Sequence, residues 1–201
     1  VIDMTNNEAV IQEILKNNNG IVTTTQVTES GIPRRCLRTM VESGAIYRVD
    51  RGIYALPEVW EDELFFIQYR FLKGIFSHET ALFLHGMTDR TPIRYTMTFP
   101  FGYNTGSVKK QGIIAKLSTE ETYELGIITM PSPSGNTVKV YDIERTLCDI
   151  VKARHGGDIQ VINQAMKTYA SSKNKDIAKL MNYADRLRVK PKVLKYMEVL
   201  L

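Results

Sequence analysis

Cysteine is scarce in this chain: of 201 residues, only Cys36 and Cys148 carry thiols. Both lie in apolar helical patterns far apart in sequence, so they read as buried free thiols in a reducing compartment, and a disulfide framework is excluded. No apolar run approaches the roughly 20 residues that span a bilayer, and no signal peptide opens the chain. A cytoplasmic protein with no membrane partner is expected. A P-loop, a dinucleotide fingerprint, a CxxC pair and a nucleophile elbow are all missing, as are internal repeats and low-complexity tracts. No catalytic residue, metal or cofactor is therefore assigned. The first residue is valine, which leaves residues 1–3 either native or a remnant ahead of a natural start at Met4.

What is present is an ordinary globular composition, 43% hydrophobic and 24% charged, long enough for one large domain or two small ones. The net charge of +4 is unevenly spread: residues 1–50 carry −1, residues 51–150 carry −2 and residues 151–201 carry +7. Uneven basic charge of this kind is a footprint of nucleic-acid contact, with a solvated lysine face as its plain competitor.

The most informative stretch is Ile21 to Leu56. Thr24 or Thr25 is placed to cap a short helix through Val27 to Ser30, and Gly31 supplies a turn. A second helix opens at Pro33 and stops at Gly44. On a helical wheel Cys36, Leu37, Met40 and Val41 share one face, while Arg34, Arg35 and Arg38 fall within an arc on the other. Ala45 to Leu56 then alternates as a hairpin around Asp50-Arg51-Gly52, read as a three-residue loop with glycine at its positive-φ position, which puts Arg48 and Arg51 at the tip. Helix, turn, arginine-bearing helix and hairpin in that order predict a winged helix-turn-helix that binds DNA. From Pro33 to Gly52 the five arginines oppose only Glu42 and Asp50.

Before this stretch, Thr5 and Glu8 match a capping box, and Val10, Ile11, Ile14 and Leu15 give a first helix its apolar stripe to about Asn17. After it, Pro57 marks a boundary. Trp60, Leu64, Ile67, Tyr69 and Phe71 predict a helix to about Lys73, and a shorter one runs from Ser77 to His85. Strands are expected over Arg94–Phe101, Gly112–Leu117, Ile127–Met130 and Thr137–Tyr141. Four helices follow: one capped by Asp142 and closed at Gly156-Gly157, then stripes at Ile159, Ile162, Met166 and Tyr169, at Ile177 to Leu187, and at Val193 to Leu201. The expected fold is α+β. An N-terminal winged helix-turn-helix (4–56) precedes an α/β C-terminal domain (57–201) with a mixed sheet over about 94–141 and packed helices over about 142–201.

Two constellations invite chemistry. His78, Glu79 and His85 share a helix, but their spacing is not that of His-Glu-x-x-His and the isolated His155 would be needed as a third ligand, so satisfied structural histidines are the better reading. Asp142, Glu144 and Asp149 gather carboxylates at a strand end, as a magnesium-dependent nuclease would. Each has a plainer explanation, since Asp142 caps, Glu144 favours the helix dipole and Asp149 pairs with Arg145 or Lys152. A metal-dependent nuclease fed by the winged unit is the alternative; a purely protein-binding winged helix is a third.

The winged segment, the run Ser77-His78-Glu79-Thr80-Ala81-Leu82 with Leu84 to Asp89, and the stretch Val140 to Asp149 together resemble AbiEi-family antitoxins. That likeness implies the antitoxin of a type IV toxin-antitoxin pair from an abortive-infection system of phage defence. It further implies a transcriptional autorepressor of inverted repeats in its own promoter, with a nucleotidyltransferase-like toxin as functional partner and no direct complex assumed. In such proteins the C-terminal domain serves both toxin antagonism and DNA binding. From the geometry of the residues, and not from the likeness, the DNA-binding set is Thr25, Arg34, Arg35, Arg38, Arg48 and Arg51, with Lys175, Lys179 and Arg186 adding sequence-independent phosphate contacts.

Overall fold

The computed structural model describes residues 4–59, 62–152 and 158–200. The chain forms two compact units, one of residues 1–69 with 131–136 and one of residues 70–130 with 137–201.

The first unit contains α1 (Met4–Asn17), β1 (Ile21–Thr23), α2 (Thr24–Glu29), α3 (Arg35–Glu42), β2 (Tyr47–Asp50), β3 (Ile53–Ala55) and α4 (Glu63–Arg70). Helix α1 already includes Thr5, so the expected capping box does not mark its start. Its stripe turns inward: Ile11 and Leu15 join Val22, Val27, Ile32, Cys36, Leu37, Met40 and Ile46 in one core. β1, which the sequence pattern does not separate from the helix after it, pairs antiparallel with β3, and β3 pairs antiparallel with β2. Ile21, Ile53 and Ala55 of this sheet form a second cluster with Phe66 of α4. α4 stops at Arg70, so Phe71 is buried beyond the helix that was expected to carry it; Trp60 lies outside the described residues. Asp62 is buried and accepts hydrogen bonds from the Ser132 hydroxyl and from Asn136 Nδ2 (3.0 Å), which ties residues 131–136 to this unit.

The second unit is built on a mixed sheet in the order β6-β5-β4-β8-β7, comprising β4 (Ile75–Phe76), β5 (Thr96–Pro100), β6 (Ile114–Ser118), β7 (Ile127–Pro131) and β8 (Thr137–Tyr141). β4 runs antiparallel to β5 and parallel to β8, and β5 runs parallel to β6. The four expected strands are present; β4, two residues long, was not foreseen. Nor were the short helices α6 (Gly106–Lys110) and α7 (Glu120–Tyr123). Helix α5 (His78–Leu84) follows β4, and α8 (Ile143–Lys152), α9 (Ile159–Ser171), α10 (Ile177–Arg186) and α11 (Lys190–Leu200) complete the unit. Their core gathers Leu82, Leu147, Met166, Leu180, Val193 and their neighbours. Asp142 caps α8 as expected, accepting from Arg145 N at 2.8 Å, while the expected closure at Gly156-Gly157 lies outside the described residues. Ile159, expected in the stripe of α9, is 65% exposed because it occupies the first turn, ahead of the buried run from Val161. Both cysteines are buried and free. No helix among the described residues is long and apolar enough to cross a membrane.

Candidate nucleic-acid interface

α2 begins one residue earlier than the sequence suggested, because Thr23 is the capping residue. Its hydroxyl accepts from Gln26 N at 3.2 Å and the Gln26 side chain accepts from Thr23 N at 2.9 Å, a reciprocal capping box. The chain then turns through Gly31, whose φ of +72° lies where other residues are strained, and Ile32 N closes back on Val27 O at 3.0 Å. Pro33 and Arg34 precede α3 instead of opening it. Cys36, Leu37 and Met40 are buried, as the wheel predicts, but Val41 is 36% exposed. It sits about 40° beyond Leu37 around the helix, past the edge of the buried stripe.

The opposite face of α3 is basic and exposed. Arg34 donates from Nε to the Thr28 hydroxyl at 3.1 Å, which braces it across the turn. Arg38 forms an i,i+4 pair with Glu42 at 2.8 Å, with both side chains mostly in solvent, so the pair is weak and easily exchanged. Arg35 is exposed and has no side-chain partner among the described residues. The hairpin differs from the expected three-residue loop. Asp50 pairs with Ile53, leaving a two-residue turn at Arg51-Gly52, and the register slips between Arg48 and Asp50. The slip is a bulge, which re-aims the strand end. Arg48 donates from Nε to Asp50 O at 3.2 Å, whereas the Arg51 guanidinium is exposed and unpaired among the described residues. Gly52 O accepts from Thr24 N at 2.9 Å, which fixes the hairpin turn to the start of α2, and the exposed Thr25 hydroxyl lies 3.4 Å from the Tyr69 hydroxyl. One packed unit thus presents Thr25 and five arginines on exposed positions of α2, of α3 and the residue before it, of β2 and of the β2–β3 turn.

Residues 10–57 match the family of transcriptional regulators described as AbiEi antitoxins. The resemblance drawn from the sequence is borne out over that segment, which runs from within α1 to just past β3. The AbiEi match supports an antitoxin or regulator role and ends before the second unit begins. Across 95% of this chain and 77% of the other, the fold is similar to the crystal structure of the RV2827C protein from Mycobacterium tuberculosis, at 13% identity and a TM-score of 0.59. At that identity the likeness concerns the fold alone. No curated protein matches the chain by sequence.

The basic residues of the second unit are placed differently. Lys179, expected as a DNA contact, lies 2.9 Å from Asp142 Oδ2 and 3.2 Å from Glu144 Oε2. Its charge is matched inside the fold. Arg186 donates to Glu121 O at 3.1 Å, and half-buried Lys175 donates to Ser172 O at 3.3 Å; neutral carbonyls leave both charges uncompensated. The three carboxylates considered for a metal are likewise occupied. Asp142 and Glu144 hold Lys179, Glu144 also accepts from Tyr169 at 3.0 Å, and Asp149 accepts from Arg145 Nε at 3.0 Å. Among the described residues no three His, Cys, Asp or Glu side chains converge as a metal requires. His85 donates from Nε2 to Tyr141 O at 2.8 Å, and His78 Nδ1 lies 3.1 Å from the Ser77 hydroxyl; His155 lies outside the described residues.

Proposed function

We propose that residues 4–56 act as a winged helix-turn-helix, with α3 as the recognition helix and the β2–β3 hairpin as the wing. On this reading the chain represses its own promoter by binding inverted repeats. It also serves as the antitoxin of a type IV pair directed at a nucleotidyltransferase-like toxin, with residues 57–201 carrying the antitoxin function and no stable complex required. The observation that carries the DNA reading is the bare arginine face of α3, set within the segment that matches the AbiEi regulators. A helix that buries Cys36, Leu37 and Met40 has its arginine face to offer to a major groove, where arginine meets guanine edges or phosphates.

The arginines divide by their freedom. Arg35 and Arg51 have no internal partner to give up, so Arg35 is assigned to a base edge and Arg51, at the wing, to a phosphate. Arg34, Arg38 and Arg48 exchange weak internal bonds for phosphates. Lys175 retains its charge for a backbone contact. Lys179 is committed to Asp142 and Glu144, and Arg186 borders a cavity of the second unit, so neither is assigned to DNA. The nuclease alternative loses its footing because each carboxylate it needs is already paired.

Binding of the promoter fragment across a salt series tests the assignment. Arg35→Ala costs about 1–3 kcal/mol and relaxes preference at one base pair, whereas Arg51→Ala weakens all sequences alike and lowers the salt slope by about 1. Unchanged affinity and unchanged slope in both variants would overturn it.

A further inference from the structure

The second unit contains a cavity of about 500 Å³ whose lining is dominated by cations: Lys116, Lys152, Arg186 and Arg188 join Arg145 against only Glu121 and Asp149. Asp149 is matched by Arg145. Arg145, 2% exposed, directs most of its donors to internal acceptors, but the side chains of Lys116, Lys152 and Arg188 have no hydrogen-bond or ion-pair partner among the described residues. Like charges converging on one space repel unless an anion shares it.

Backbone strain points to the same place. Three non-glycine residues among those described have left-handed φ: Asn19 at 52°, His78 at 54° and Arg188 at 59°. Asparagine tolerates that region. Histidine is also enriched there, whereas arginine is not, and His78 and Arg188 both line this cavity. Arg188 follows the C-cap of α10 at the position where glycine ordinarily ends a helix, so an arginine is held there against its conformational preference. The two closing bonds of that helix end, Arg188 N to Asp185 O at 3.0 Å and Val189 N to Ala184 O at 2.8 Å, fix the conformation and hold Arg188 at the cavity wall.

Hydrogen-bond donors complete the lining. Thr98 donates to the Ser77 hydroxyl at 2.8 Å and His78 Nδ1 lies 3.1 Å from the same oxygen, so Nε2 is the ring nitrogen left without a partner among the described residues. Ser118, Thr119 and Thr122 lie along the same wall, but their hydroxyls bond one another, with Ser118 and Thr119 each 2.8 Å from the Thr122 hydroxyl. No phenylalanine, tyrosine or tryptophan is among the described lining residues, so a nucleobase finds no large stacking platform there. The run beginning at Ser77 and the stretch ending at Asp149 meet at this cavity through His78, Arg145 and Asp149.

We propose that the cavity binds the diphosphate or triphosphate group of a small ligand, held by Lys116, Lys152, Arg188 and His78. This does not rest on the DNA reading. Calorimetry on the full chain with inorganic pyrophosphate, ATP, adenosine and a short duplex lacking the inverted repeats is the test. Pyrophosphate and ATP bind and adenosine does not, which places the affinity in the phosphates. Lys116→Ala with Lys152→Ala, both at exposed positions, weakens binding at least about tenfold without lowering the melting temperature. Arg188→Gly removes a cation and the strain together, so it loses affinity while melting higher, a pairing that a purely structural arginine does not produce. Absence of saturable pyrophosphate or ATP binding up to about 5 mM would overturn the proposal. So would affinity unchanged in these variants, or duplex binding at this wall that pyrophosphate does not displace.

Discussion

Arg145 offers the sharpest test of how the second unit holds together. It lies in the first turn of α8, is 2% exposed, and donates from Nε to both Asp149 oxygens (3.0 and 3.1 Å) and from a terminal nitrogen to the carbonyls of Thr122 and Leu125. Its guanidinium also lies 4.1 Å over the Tyr141 ring. Arg145→Ala leaves the Asp149 carboxylate, 7% exposed, without its countercharge, and removing one partner of a buried pair costs about 3–5 kcal/mol. The orphaned carbonyls would add roughly 1 kcal/mol each in a dry interior, but the bordering cavity admits water to satisfy them. The expected loss is therefore about 4 kcal/mol, a large fraction of the roughly 5–15 kcal/mol of a typical domain. Removing Asp149 as well relieves the unpaired charge, so Arg145→Ala with Asp149→Ala is less destabilised than the two single losses together by at least about 2 kcal/mol. Urea unfolding followed by far-UV circular dichroism and tyrosine fluorescence measures both. A single-variant loss below about 1 kcal/mol, or additive losses, would refute the claim that this pair is a buried, coupled support.

Gly52 has φ of +78°, and a Cβ there would lie 2.9 Å from the Thr24 hydroxyl oxygen; Gly52→Ala costs about 1–2 kcal/mol in urea unfolding and weakens promoter binding through the displaced wing. Burial first, and then the Asp149 charge, push the Cys148 thiol up to about 12. At pH 8 Cys148 is therefore inert to a disulfide reagent in the native chain and reacts only after unfolding; fast native labelling at Cys148 would contradict its placement. Burial, the largest cause, lowers the His78 imidazole below its ordinary 6.5, with Asp149 opposing and Lys116 and Arg145 reinforcing. A depressed histidine favours the unfolded state as protons are added, so its contribution is intact above pH 6.5 and lost as pH falls below it. His78→Gln flattens that part of the stability profile.

The sequence was most legible where local rules act alone. The alternation of Thr137–Tyr141 became β8 at the expected bounds, and the Asp142 cap placed α8 correctly. Elements of two or three residues, β1 and β4, were missed because no periodicity develops over so short a run. The hairpin turn was read one residue too long because the bulge near Val49 is set by pairing with β3, which no local signal announces. α8 shows the deeper limit. Glu144, Arg145 and Asp149 read as the polar face of an amphipathic helix, yet every residue from Glu144 to Val151 is buried. Their partners, Thr122, Leu125, Tyr169 and Lys179, come from distant segments, so nothing local distinguishes an ionic core from a wet surface.

The same limit governs how basic charge should be read. Residues 151–201 carry +7, which by composition alone marks them as the chain's strongest nucleic-acid surface. In the fold, Lys179 is matched by Asp142 and Glu144 and Lys190 lies 3.8 Å from Asp185, while Arg186, Arg188 and Lys152 border the cavity. The N-terminal 50 residues carry −1 in total, yet their acidic side chains leave Arg35 bare and hold Arg38 only through a solvent-exposed pair. An anion responds to the cations left unmatched around one space and not to a regional sum, because a charge already compensated at about 3 Å contributes little field beyond it. Net charge per segment therefore points toward the C-terminal helices for DNA, whereas unmatched charge is the ground on which we propose α3 for the duplex and the cavity of the second unit for a smaller, phosphate-bearing anion.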